Sequence, residues 1–131
     1  MQTYRGKAEL LLLMLVITLA SCTTGHYTPL GEAGNDVVEQ LKENVYRVDY
    51  RVGAFTSQEQ LDRYLRRRCA ELTLREGYDY FYMGGRLDVL GIWRRTAMTV
   101  TLYKNPKPAG IPDLQNAKDV LAETEVPPTT Q

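Results

Sequence analysis

Between Val45 and Gly77 the hydrophobic period of this chain changes once, and that change limits the fold more than any other feature. Tyr46, Val48, Tyr50 and Val52 alternate with Arg47, Asp49 and Arg51, the period-two pattern of a strand with one buried face. Gly53 breaks the run. Thr56-Ser57-Gln58-Glu59 then reads as a capping box, in which the Thr56 hydroxyl takes a free amide and Glu59 reaches back. Leu61, Tyr64, Leu65, Cys69 and Leu72 follow at spacings of three and four, predicting a helix to about Glu76 that Gly77 terminates. Its far side offers the pairs Glu59–Arg63, Asp62–Arg66, Arg67–Glu71 and Glu71–Arg75, each four residues apart.

Two further strands are predicted. Tyr78 to Met83 is aromatic or apolar on both parities, as in a central strand covered on both sides, and Gly84-Gly85 is expected to turn it. Gly91 breaks the segment from Arg86 to Trp93. Arg95 to Tyr103 alternates again until Asn105-Pro106-Lys107-Pro108 ends the sheet, because proline cannot donate to a ladder. The expectation is an α+β fold: a β-α-β-β domain over residues 45–104, with a three-stranded sheet and one helix packed on one face. Residues 105–131 read as a Pro-rich, largely disordered tail, with a short helix through Leu114, Ala117 and Leu121 capped near Asp113.

The other end of the chain carries an address. Arg5 and Lys7 precede an apolar run from Leu10 to Leu19, which closes on Ala20-Ser21-Cys22. A helix of that run is about 15 Å long, half a hydrocarbon core of about 30 Å, so it is too short to span a membrane. Charge, apolar run and small residues before a cysteine form the pattern of a lipoprotein signal, with residues 1–21 removed and Cys22 lipidated. A diacylglycerol, with an acyl chain such as palmitate on the new N-terminus, makes a stable anchor where one chain would not. Thr23, rather than the aspartate that retains lipoproteins in the inner membrane of enteric bacteria, favours the periplasmic face of the outer membrane; lineage-dependent sorting keeps the inner membrane open. Residues 22–44 hold Gly25, Pro29, Gly31 and Gly34 and read as a flexible tether with a span of about 25 Å, in which 36–42 forms at most a helical turn or two.

Cleavage leaves 110 of the 131 residues, enough for one domain. It removes Arg5, Lys7 and Glu9, so the 16 basic and 16 acidic residues become 14 and 15. That near-neutral balance, like export itself, argues against a nucleic-acid partner.

The block Tyr46-x-Val48-x-Tyr50-Arg51-x-Gly53, Thr56, Arg68-Cys69-Ala70-Glu71-Leu72-Thr73-Leu74 and Gly77-Tyr78-Asp79-Tyr80-Phe81 resembles a family of small lipoproteins of Gram-negative bacteria. Cys69 departs from it by standing where the family usually has alanine. The resemblance spans residues 46–81 and the lipid-attachment motif. It implies this fold and location, and it supplies no catalytic residue to carry over.

Residue chemistry points the same way. Cys69 has no cysteine to pair with once Cys22 is lipidated, and it lies on the apolar face of the helix, where a thiol is a small core residue. Arg66, Arg67 and Arg68 could lower its pKa, but at least two of them should point away. His26, the only histidine, sits in the tether, and neither a nucleophile–base pair nor a metal set can be assembled around it. No phosphate-loop or dinucleotide motif is present. The chain is therefore expected to be no enzyme and to need no cofactor or metal.

What is left is surface. With Tyr46, Val48, Tyr50 and Val52 against the helix, the opposite sheet face presents Arg47 and Arg51, Thr99, Thr101 and Tyr103, and either Tyr80 and Tyr82 or Phe81 and Met83. Tyrosine and arginine are enriched at interface hot spots. Arg47, Arg51, Tyr80, Tyr82 and Tyr103, with Arg66 and Arg67 on the helix, form the candidate partner surface. Its expected occupant is an envelope protein, or a second copy of the chain in a homodimer; for the arginine run a plain solvated helix face is the simpler reading.

Overall fold

A computed structural model describes residues 27–32, 37–53, 55–89 and 93–123. The signal segment, Cys22, His26, Gly91 and the end of the tail from residue 124 lie outside the described residues.

Strands β1 (Val38–Lys42), β2 (Val45–Gly53), β3 (Tyr80–Val89), β4 (Trp93–Tyr103) and β5 (Gln115–Asn116) form one sheet in the order β1-β2-β4-β3-β5, every pair antiparallel. Helices α1 (Gln58–Arg75) and α2 (Ala117–Glu123) share one core with the sheet. Tyr46, Val48, Tyr50 and Val52 of β2, Phe81 of β3 and Met98, Val100 and Leu102 of β4 meet Leu61, Leu65, Cys69 and Leu72 of α1 there. The predicted α+β class and the central strand–helix–strand–strand order are present.

The sheet, however, has five strands and two helices rather than three and one. β1 forms where a helical turn was expected, because its backbone can ladder onto β2 from Val38↔Val48 to Lys42↔Val45. β5 and α2 come from the stretch read as a tail. Ala117 and Val120 are buried beside α1, covering core that one helix leaves bare.

Three local expectations change with it. The helix cap is Ser57, not Thr56: Ser57 is extended and its Oγ accepts from the Gln60 amide at 3.1 Å, while the Thr56 amide is used by the Gly53 carbonyl. The second helix is capped by Asn116, whose Oδ1 accepts from the Lys118 and Asp119 amides, rather than by Asp113. And Gly84-Gly85 does not turn the chain.

β3 runs through those glycines and bulges. Gly84 faces Thr99 and Arg86 faces Met98, so Gly85 is an extra residue in the strand. Its φ of 53° is left-handed, and a Cβ there would meet Thr99 Oγ1 at 3.3 Å, so glycine suits the position on both counts. The bulge flips the parity of the strand: Tyr80 and Tyr82 before it share a face with Leu87 and Val89 after it. Arg86 thereby points to the helix side and bonds Asp62 of α1 at 2.6 Å.

Gly77 ends α1 as predicted. With φ 79° it closes a Schellman turn, in which the Tyr78 amide reaches the Thr73 carbonyl at 2.9 Å and its own amide reaches that of Leu74 at 3.1 Å.

Candidate functional site

Both helices lie on one side of the sheet; among the described residues no helix covers the other. Since β4 alternates, Trp93, Arg95, Ala97, Thr99, Thr101 and Tyr103 all belong to this open face. Register then builds it in rows across the strands: Val45–Thr101–Tyr82, Arg47–Thr99–Gly84, Asp49–Ala97–Leu87 and Arg51–Arg95–Val89. Phe81 is fully buried on the helix side, which answers the parity question: Tyr80 and Tyr82 belong to the open face. Tyr80 pairs directly with Tyr103, both half-buried.

Five of the seven candidate residues thus share the open face: Tyr80, Tyr82 and Tyr103 cluster at one end with Arg47 in the next row, while Arg51 stands two rows beyond Arg47 toward the other end. Arg47 and Arg51 are exposed, and Arg47 bonds Glu39 across the β1–β2 pair. Between them Asp49 is nearly buried despite facing outward. Its Oδ2 is paired with Arg95, and its Oδ1 has no hydrogen-bond partner. Arg47, Asp49, Leu87, Val89, Arg95 and Ala97 enclose a shallow hollow of about 240 Å³.

Arg66 and Arg67 are elsewhere. Arg66 bonds Gln115 and pairs with Glu123 at 3.0 Å, not with Asp62 one turn back, so it ties α1 to β5 and α2. Arg67 pairs with Glu71 at 3.3 Å and stands over the Tyr27 ring at 5.4 Å. Arg68 is buried: it donates to the Asp49 carbonyl at 2.9 Å and the Thr28 carbonyl at 2.7 Å, with its guanidinium 4.1 Å from the Tyr50 ring centre. The run is not a plain solvated face: its three heads hold other parts of the chain.

The part held is Tyr27–Glu32, expected to be tether. Tyr27 stacks on Tyr50 at 5.8 Å and packs at a tilt against Tyr64 at 5.3 Å, and its hydroxyl donates to Glu71 at 2.8 Å. The Thr28 amide donates to the Tyr50 hydroxyl and the Leu30 amide to Glu71, both at 2.9 Å. Burial, with the neighbouring Glu71 carboxylate, pushes the Tyr27 phenol well above its ordinary value.

Cys69 sits at the bottom of the core with no exposed surface, and burial pushes its thiol up against the weaker opposing pull of Arg68. Among the described residues no three or more His, Cys, Asp or Glu side chains converge as a metal set would.

What the sequence reading missed is the apolar half of the open face. Leu87, Val89 and Trp93 are 64%, 50% and 68% exposed, and Phe55, just after β2, is fully exposed. A Gly-Gly pair inside an otherwise strand-like run is the signal of a bulge, and it would have placed Leu87 and Val89 beside Arg95.

Family models, curated proteins and solved structures yield no match to this chain.

Proposed function

We propose that this is a lipid-anchored accessory module of the bacterial envelope, held at the periplasmic face of the outer membrane through Cys22 and binding a protein partner without chemistry of its own. One observation carries the binding reading: on the sheet face that no described helix covers, Tyr80, Tyr82 and Tyr103 cluster at one end with Arg47 in the next row, large side chains with few rotamers to freeze beside a guanidinium that can fork onto a carboxylate. The anchor reading rests on the signal pattern ending at Cys22.

The test is crosslinking of the tagged, lipidated protein in cells, with Cys22→Ala as the unanchored form. A partner captured only by the anchored protein, and lost when Arg47 and Tyr103 are changed to alanine, supports the proposal. Capture that ignores those two substitutions refutes it.

A second reading, a self-associating structural lipoprotein, has its own support. β5 pairs only with Tyr80 and Phe81, so among the described residues the outer edge of β3 from residue 82 to 89 has no strand beside it. Sedimentation distinguishes the two: a monomer at micromolar concentration removes self-association.

A further inference from the structure

The exposed apolar side chains are not scattered. Trp93 pairs with Gly53 at the end of β2, and Phe55 follows that end within two residues. Val89 lies beside Arg95, and Leu87 lies one row further in beside Ala97. All four therefore stand at one end of the domain, where β2 and β3 finish and α1 begins. Arg51, Arg95 and Arg47 flank them on the open face, against the carboxylates of Asp49 and Glu39.

The first ordered residue is fixed within reach of that end. Tyr27 lies along the middle of α1: its ring packs on Tyr64, about two turns into the helix, and its hydroxyl reaches Glu71, about two turns further on. Since Tyr27 is pinned, Cys22 lies only five positions before a fixed point of the domain. Fully extended, five residues reach at most about 18 Å. A lipid on Cys22 would therefore hold the domain close to the bilayer surface, with this end inside that reach, rather than at the end of a long flexible tether.

We infer that the end bearing Phe55, Leu87, Val89 and Trp93 lies in the headgroup region of the membrane that holds the Cys22 lipid, with Arg51 and Arg95 against anionic phospholipid. This rests on the anchor reading above. Tryptophan favours the membrane interface, where its ring is apolar and its N–H stays hydrated, and arginines beside an apolar patch are drawn to anionic headgroups. The arrangement also divides the open face: the apolar end meets lipid, and Tyr80, Tyr82 and Tyr103, at the opposite end, remain turned to the periplasm for a partner.

Trp93 is the sole tryptophan, so its emission reports on this patch alone. The experiment uses the full lipidated protein, with the mass of the Cys22 lipid confirmed, reconstituted into vesicles of phosphatidylethanolamine and phosphatidylglycerol with brominated or ordinary acyl chains. The inference expects a blue-shifted emission that falls several-fold in the brominated vesicles, and less so for Arg51→Glu, an exposed change whose folding is checked by thermal midpoint. Solvent-like emission, open to acrylamide and indifferent to bromine, overturns the inference while the measured lipid leaves the anchor standing. Blue-shifted emission without bromine quenching means that a second copy covers the patch, which also overturns it. Equal quenching of the Arg51→Glu protein overturns the role given to that arginine. A Cys22 of unmodified mass refutes the anchor reading and the inference together.

Discussion

Replacing Arg68 with methionine tests whether a buried guanidinium, more than apolar packing, fixes the first ordered segment to the domain. Methionine keeps an unbranched stem in the same space and removes the charged head. Two hydrogen bonds from a charged donor are lost, to the Asp49 carbonyl at 2.9 Å and the Thr28 carbonyl at 2.7 Å, each worth about 1.5–3 kcal/mol. The ring contact with Tyr50 at 4.1 Å is lost too, about 1–2 kcal/mol when desolvated. Against this, the protein no longer has to strip water from a cation, which returns about 1–4 kcal/mol in comparable replacements. The net expectation is a destabilisation of about 2–4 kcal/mol. Urea unfolding measures it as a lower midpoint. Amide exchange locates it: the Thr28 and Leu30 amides, bonded to the Tyr50 hydroxyl and Glu71, should lose protection well before those of β2 and β4. A loss below about 1 kcal/mol, with Thr28 and Leu30 still protected, would refute the reasoning, since that is what an ordinary substitution costs.

Three other changes probe the frame of the fold. Ser57→Ala should cost about 1 kcal/mol by urea unfolding, because the Gln60 amide loses its acceptor, and more than Thr56→Ala if Ser57 is the cap. Gly85→Ala places a Cβ 3.3 Å from Thr99 Oγ1 at φ 53°, and should cost about 1–2 kcal/mol through strain at the bulge; an unchanged midpoint would mean that the strand can do without the left-handed residue. Cys69 and Tyr27 both have folded pKa values raised by burial, so the unfolded chain releases their protons first. Stability is therefore intact below the ordinary thiol value of 9.0 and declines as pH rises above it, first through Cys69 and then through Tyr27 above 10.0. Cys69→Ala should delay that decline, as thermal melts across about pH 8 to 11, a range that spans the ordinary thiol and phenol values, would record.

The elements legible in the sequence are those that bury many apolar side chains at a regular period. β2, α1 and β4 could be read from Tyr46 to Val52, Leu61 to Leu72 and Thr96 to Leu102 because alternation and three-four spacing are local properties. β1 carried no such signal: Glu39, Gln40, Leu41 and Lys42 are all exposed, and backbone ladder bonds to β2 hold the strand in place. α2 buries only Ala117 and Val120, too few for a period to show. Arg68 is the instructive case. It stands at the helical spacing of Leu61, Leu65 and Leu72, so periodicity placed it on the buried face, while its charge argued for the surface. Two carbonyls and a tyrosine ring, from segments 40 and about 20 residues away, settle the conflict.

The sequence by itself determined what depends on neighbours along the chain: the strand and helix of the middle, the glycine that ends the helix, the signal pattern ending at Cys22, and the presence of tyrosine on one parity of β2 and arginine on the other. Tertiary structure alone decided which parity of β3 is buried, where its bulge turns Leu87 and Val89 outward, and that Phe55 and Trp93 join them at one end of the domain. The reason is range. Periodicity and caps are set within a turn or a few residues, whereas burial, register and the company a side chain keeps are set by strands that meet only when the chain folds.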